Sequence, residues 1–216
     1  MPQGIIAVGN LKGGVGKSTI AVNLACALAS RSVRPVLVDA DAQGTAVEWA
    51  AGGGLPIDVI HLPIDEKTEK KAWRKAVKKH QEAAGLVIVD LPPHWGPALT
   101  AALDVTDLLL IPVTPSGADL RATMQALERL AETRAKREGA PPALLVPSRV
   151  DRRTAAGREI EAVLADMGEP VGPAIVQRSA HIDAFTTGKW VGDWARRSAA
   201  RADIEALAAR VKRSLT

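Results

Sequence analysis

Asn10-Leu11-Lys12-Gly13-Gly14-Val15-Gly16-Lys17-Ser18-Thr19 is the stretch from which the fold is read. Just before it, Ile5-Ile6-Ala7-Val8 is a continuous apolar run, the pattern of a strand buried on both faces. Just after it, Ile20, Leu24 and Leu28 recur as one face of a helix. Strand, glycine-rich turn and helix together form the context of a phosphate-binding loop. Glycines let backbone N–H groups curl around an anion with no Cβ in the way, and the new helix adds its free N–H groups and dipole. In that reading Lys17 reaches the β- and γ-phosphates and the Ser18 hydroxyl ligates Mg²⁺. A dinucleotide fingerprint starting at Gly14 fails, because its last position is Thr19 and Lys17 stands inside it.

The strict G-x-x-x-x-G-K-[ST] pattern also fails at one place, where Leu11 replaces its first glycine. The loop carries a second lysine instead, Lys12, in K-G-G-x-G-K-[ST]. This form resembles the deviant Walker A loop of the ParA/MinD ATPases. The resemblance implies that ATP lies along Lys12, Gly13, Gly14, Val15, Gly16, Lys17, Ser18 and Thr19, and that Lys12 crosses a dimer interface to the partner's phosphates. The competing reading is a glycine-rich turn that holds no ligand.

Apolar runs and helical stretches alternate nearly to the C-terminus. Strands are expected at 4–9, 35–39, 57–62, 86–90, 107–112, 143–147 and 171–176, and helices at about 18–30, 65–83, 97–104, 117–138 and 154–167. This βαβ rhythm predicts an α/β fold of the P-loop NTPase type: a mostly parallel twisted sheet of about seven to eight strands with helices on both faces. With 216 residues and no repeat or long linker, one domain over 1–216 is expected. No run approaches the roughly 18 to 20 apolar residues of a membrane span. The N-terminus lacks a signal-peptide pattern and leaves no room for a DNA-reading domain before the first strand. The single cysteine, Cys26, rules out a disulfide or cysteine-ligated cluster within one chain, so a reducing cytosol is the expected compartment. His61, His80, His94 and His181 lack metal-ligand spacing.

Two further strand ends carry carboxylates. Val36-Leu37-Val38-Asp39-Ala40-Asp41-Ala42-Gln43-Gly44 places an Asp-x-Asp pair at the C-terminal edge of the sheet, where ligands bind in open α/β folds. It resembles the family's D-x-D-P-Q-G segment, with Ala42 in place of proline. The resemblance makes Asp41 the residue that positions or activates the attacking water and Asp39 a support for Mg²⁺ or its water shell. The alternative is an Asp pair capping the next helix. Leu86-Val87-Ile88-Val89-Asp90 reads as a Walker B strand, with Asp90 holding Mg²⁺ through water or Ser18. Leu91-Pro92-Pro93 after it resembles the family's second switch. The resemblance thus gives Lys12, Lys17 and Asp41 as catalytic and Ser18, Asp39 and Asp90 as the metal set.

Ile111-Pro112-Val113-Thr114-Pro115-Ser116, then Asp119-Leu120, resembles the V-P-x-x-P-S segment of small ParF-like partition ATPases and leads into a long helix. Pro147-Ser148-Arg149-Val150-Asp151 is placed to contact adenine, with Ser148 and Asp151 as the candidates. ATP over GTP rests on the family and on the absence of an N-K-x-D guanine motif.

The net charge of +4 is concentrated. Segment 65–80 holds seven basic residues against three acidic, with Trp73, Val77 and His80 spaced as its inward face. It reads either as a solvated helix face or as a DNA-backbone contact. Arg178, Lys189, Arg196, Arg197 and Arg201 resemble the scattered basic residues with which the family binds DNA without regard to sequence, through phosphate neutralisation. A short apolar stripe, Ile204, Leu207, Ala208 and Val211, is expected to pack on the domain rather than to enter a membrane.

What the resemblance implies is an ATP- and Mg²⁺-dependent homodimer that binds nonspecific DNA at the nucleoid. A ParB-like or small ribbon-helix-helix adaptor would stimulate its slow hydrolysis. The output would be partition or positioning of a plasmid, a chromosome region or a protein cargo. The alternatives are a MinD-like membrane-cycling ATPase and a metabolic P-loop ATPase acting on a small molecule.

Overall fold

The computed structural model describes residues 3–93, 97–137 and 140–215. His94 therefore lies outside the described residues. Six parallel strands form one sheet: β1 (Gly4–Val8), β2 (Val36–Asp39), β3 (Asp58–His61), β4 (Leu86–Asp90), β5 (Leu108–Val113) and β6 (Ala143–Pro147), in the order β3-β2-β4-β1-β5-β6. Parallel strands need crossovers, and helices supply them: α1 (Lys17–Leu28), α2 (Thr45–Ala50), α3 (Lys70–Ala84), α4 (Pro97–Leu103) and α5 (Gly117–Arg134), while α6 (Ala155–Ala165), α7 (Ser179–Thr186), α8 (Val191–Trp194) and α9 (Ala199–Ser214) follow β6.

Why β1 is so apolar follows from the two cores. Its side chains alternate between the faces of the sheet. Ile6 and Val8 enter a core completed by α1, α7, α8 and α9, whereas Ile5 and Ala7 enter a second core with α3, α4, α5 and α6. A polar residue at any of these positions would be buried without a partner. The stripe Ile204, Leu207, Ala208 and Val211 is buried where α9 packs along α1.

Three differences from the expected elements have local causes. Residues 171–176 run beside β6 and its following turn but form no continuous ladder, pairing through isolated bridges from Leu145 to Val171 and Val150 to Val176, so the sheet has six strands among the described residues. Pro173 has no N–H to give a ladder there. α3 begins at Lys70, not 65, because the Glu69 carboxylate caps it by accepting from the N–H groups of Lys71 (2.9 Å) and Ala72 (2.7 Å). α2 is absent from the expected elements. It is six residues long, too short to show a period, and it depends on a carboxylate delivered from β2.

That carboxylate is Asp39. It is fully buried and accepts from the N–H groups of Asp41 (3.1 Å), Ala46 (2.8 Å) and Val47 (3.1 Å), capping α2 from outside the helix. Burial raises its pKa, partly offset by those three amides. Asp39→Ala is expected to lower unfolding stability by about 3 kcal/mol, since one buried and two half-buried amides lose their acceptor. Urea denaturation checks this, and a loss below about 1 kcal/mol would remove the capping role.

Candidate nucleotide-binding site

The C-terminal edge of the sheet assembles the site. Register sets Asp90 opposite Val8 on one side and Asp39 on the other, so β4 stands between β1 and β2. The Asp-x-Asp turn is therefore separated from the glycine loop by a whole strand, and Asp90 occupies the gap.

Between β1 and α1 the loop is held by its carbonyls. Lys17 Nζ donates to Lys12 O (2.8 Å), Arg149 to Gly14 O (2.7 Å) and Ser148 Oγ to Val15 O (2.7 Å). With the carbonyls engaged, the N–H groups of residues 13–19 meet no acceptor among the described residues. Unpaired amides at the start of a helix form a nest for an anion. Gly14 and Gly16 adopt φ of 78° and 89°, and a Cβ on Gly16 would come within 3.0 Å of Ser148 Oγ. These two glycines are required by the turn itself. Asn10, buried, ties the loop to β5 by donating to Pro112 O at 2.7 Å.

Lys17 is buried, and desolvation lowers its pKa while Asp90 and Asp41 raise it. An ammonium folded onto a loop carbonyl, with two carboxylates nearby, is poised to exchange that carbonyl for phosphate oxygens. Asp90 is the complementary feature. It is 1% exposed and neither carboxylate oxygen has a hydrogen-bond partner. Burial, with the neighbouring Asp39 and Asp41, pushes its pKa up to about 7, while the facing Ser18 hydroxyl and Lys17 pull it down. Ser18 lies close enough to favour the carboxylate charge but does not reach hydrogen-bond geometry.

An unpartnered buried carboxylate beside a hydroxyl and a phosphate nest fits Mg²⁺, which takes few protein oxygens and completes its shell with water and phosphate. Of the expected metal set, Ser18 and Asp90 suit this role. Asp39 differs from them in that its oxygens accept from three backbone amides.

Lys12 is placed differently from Lys17. Its side chain is about half exposed (47%), and its ammonium lies 3.7 Å from Asp119 at the start of α5. Asp119 is itself held by the Thr114 hydroxyl. Asp41 lines the cavity in front of the loop, and its Oδ1 accepts from Gln43 N–H at 3.0 Å.

That cavity, about 500 Å³, runs from Gly13–Thr19 past Thr45 and Trp49 to the segment between Ile175 and Phe185. Ser148 lines it but spends its hydroxyl on the loop. Asp151 is not among its lining residues. Arg153 pairs with the Asp151 carboxyl and holds its pKa at about 2. The expected adenine contacts are thus a loop buttress and the turn that opens α6. The wall comes instead from residues 175–185, which in sequence read as a strand followed by DNA-binding residues. Nothing in their local pattern points to a pocket, because they reach it only through the packing of α7.

Family membership follows from this geometry and from comparison. The model of the CobQ/CobB/MinD/ParA nucleotide-binding domain matches residues 6–191. The chain belongs to this family. It is 34% identical over 177 residues to the maintenance of carboxysome distribution protein A of Halothiobacillus neapolitanus, covering 81% of this chain and 80% of that one. It is 30% identical over 223 residues to the chromosome-partitioning ATPase Soj of Thermus thermophilus, covering 88% of each. Among solved folds of the ParA/MinD family, the ATP complex of a Cyanothece McdA variant superposes with a TM-score of 0.78 at 18% identity, over 99% of this chain and 96% of that one. MinD of Pyrococcus horikoshii, complexed with Mg-ADP, gives 0.74 at 19% identity over 96% and 95%. ATP and magnesium are thus ligands that this ParA/MinD fold carries in solved structures.

The basic residues expected to touch DNA divide into two groups. Arg178 pairs with Asp203 (3.4 Å), and Arg201 pairs with Glu205 (2.7 Å) while its guanidinium lies 5.8 Å from the centre of the Trp190 ring. The side chains of Lys189, Arg196 and Arg197 are exposed, with no carboxylate partner among the described residues. On α3, Lys70, Lys71, Lys75, Lys78 and Lys79 are likewise exposed and unpaired among the described residues, while Trp73 and Val77 are buried beneath them. No helix among the described residues is long and apolar enough to cross a membrane.

Proposed function

We propose that this protein is a positioning ATPase of the ParA/MinD type, in which ATP·Mg²⁺ assembles two subunits and hydrolysis separates them. The observation that carries the proposal is the division of labour between two lysines in one loop. Lys17 is buried and turned onto its own loop, whereas Lys12 is half exposed and paired with Asp119. A half-exposed second lysine beside a phosphate nest supports a role toward the nucleotide of another subunit.

In the working site the amides of residues 13–19 bind the phosphates, and Lys17 exchanges the Lys12 carbonyl for phosphate oxygens. The nucleoside enters the cavity toward Ile175–Phe185. Ser18 and Asp90 would hold the metal, which would neutralise phosphate charge. Asp41 orients the attacking water from the cavity side. The family's slow turnover is consistent with a site in which Lys12 must leave Asp119 before the charge on the outer phosphate is met, a rearrangement that an adaptor protein would favour.

The relatives named for carboxysome distribution and chromosome partitioning support a cargo moved over the nucleoid. The DNA contacts are read from the unpaired lysines of α3 on one face of the sheet and from Lys189, Arg196 and Arg197 on the other. Arg178 and Arg201 are committed within the fold.

Two measurements test the reading together. Light scattering after size exclusion is expected to show a dimer with ATP and Mg²⁺ and a monomer with ADP. DNA binding by the ATP form is expected to be indifferent to sequence. For about five phosphate contacts it should weaken roughly 500-fold between 50 and 200 mM salt. A monomer in both nucleotide states would refute the switch, and a flat salt response would refute the basic surface. ATP-dependent binding to liposomes in place of DNA would favour the membrane-cycling alternative.

A further inference from the structure

The cavity beyond the phosphate loop contains a polar side chain with buried, unpartnered atoms that the proposed reaction does not use. His181, on α7, lines it, and both of its ring nitrogens are buried without a hydrogen-bond partner. Its neighbours along the wall are apolar: Ile175, Ile182, Phe185 and Trp49, the last two in an edge-to-face pair with centroids 5.2 Å apart. Three other polar groups nearby are already engaged, and the Gln177 side chain, which also lines the cavity, is exposed. Trp49 Nε1 donates to Lys189 O, Arg149 holds Gly14 O, and Arg178 pairs with Asp203. Buried polar atoms in folded proteins are normally paired, and an exception in a cavity points to a missing ligand.

Resting on the reading that phosphates occupy the glycine loop, we propose that His181 recognises the nucleoside end of the bound nucleotide, one ring nitrogen hydrogen-bonding the nucleoside within the apolar slot. A triphosphate anchored at residues 13–19 extends into this cavity, because Thr19, Trp49 and His181 line the same space. The imidazole is suited to the contact. Burial and Arg178 lower its pKa, against the opposing pull of Asp203, so it is neutral at pH 7 and presents one donor and one acceptor. The apolar ring wall supplies area for a flat base, and the histidine supplies the directed contact.

The test compares ATP with inorganic triphosphate, which fills the loop but has no nucleoside. In His181→Ala, ATP affinity by calorimetry is expected to fall about fivefold to tenfold, the loss of one buried hydrogen bond, with triphosphate affinity unchanged. His181→Asn, which keeps a donor and an acceptor, is expected to recover part of the loss and also serves if the alanine variant fails to fold. The His181 imidazole NMR signals should shift on adding ATP and stay in place on adding triphosphate. An unchanged ATP affinity would overturn the proposal, and so would parallel losses for ATP and triphosphate, which would assign His181 to packing of α7. Wild-type protein that binds neither ligand would instead refute the phosphate-loop reading beneath it.

Discussion

Lys17→Ala is expected to weaken ATP binding at least about 100-fold, toward no detectable binding. In the structure the Lys17 ammonium reaches one loop carbonyl at 2.8 Å, and burial lowers its pKa against the opposing pull of Asp90 and Asp41. On binding it gains charge-assisted contacts to phosphate oxygens in a site of low dielectric, each worth about 1.5 to 3 kcal/mol. Alanine removes those contacts and leaves Asp90 and Asp41 facing a polyanion without their buried cation. Both effects have the same sign. The fold should survive, because among the described residues the ammonium donates only to Lys12 O. Calorimetry with ATP and Mg²⁺, alongside a thermal melt, separates loss of binding from loss of fold. Wild-type affinity in the alanine variant would refute the site.

The phosphate half of the site is legible in the sequence because its chemistry is local. Residues 10–19 contain the turn glycines, the lysines and the hydroxyl, and the strand before them and the helix after them are adjacent in the chain. Asp90 is legible for a related reason, as a carboxylate ending a strand whose apolar run requires burial. Asp39 illustrates the limit. An Asp at a strand end looks the same whether it faces a metal or backbone amides, and the choice here is made by α2, whose Ala46 amide lies seven residues further on. Ser148 and Asp151 show the same limit for the nucleoside. Their position in the chain suits a base contact, yet Ser148 bonds to Val15 and Asp151 to Arg153, while the wall is built by α7. The six-stranded order also lies beyond periodicity. Nothing local states that β4 inserts between β1 and β2, although that insertion is what sets Asp90 beside the loop.

Lys12→Ala is expected to separate nucleotide binding from assembly and turnover. Within one subunit Lys12 contributes its backbone carbonyl, which accepts from Lys17, and an alanine provides the same carbonyl. Among the described residues its ammonium meets only Asp119, at 3.7 Å, in a pair whose lysine is half exposed. Removing it should cost the monomer less than about 1 kcal/mol of stability. ATP affinity of the monomer should accordingly stay within a few-fold of wild type. The dimer is a different matter. A cation delivered to the outer phosphate of a partner's nucleotide acts on charge that develops during transfer, and such groups contribute roughly 1,000-fold or more to turnover. Adaptor-stimulated hydrolysis should therefore fall by that order, and the ATP-dependent dimer expected in light scattering should be lost with it. Lys12→Arg offers a control for charge alone: the guanidinium is longer and planar, so partial recovery of the dimer with poor turnover would indicate that position matters as well as charge. A Lys12→Ala protein that dimerises and hydrolyses ATP like wild type would leave Lys12 as a surface residue paired with Asp119 and would remove the basis for a two-subunit switch.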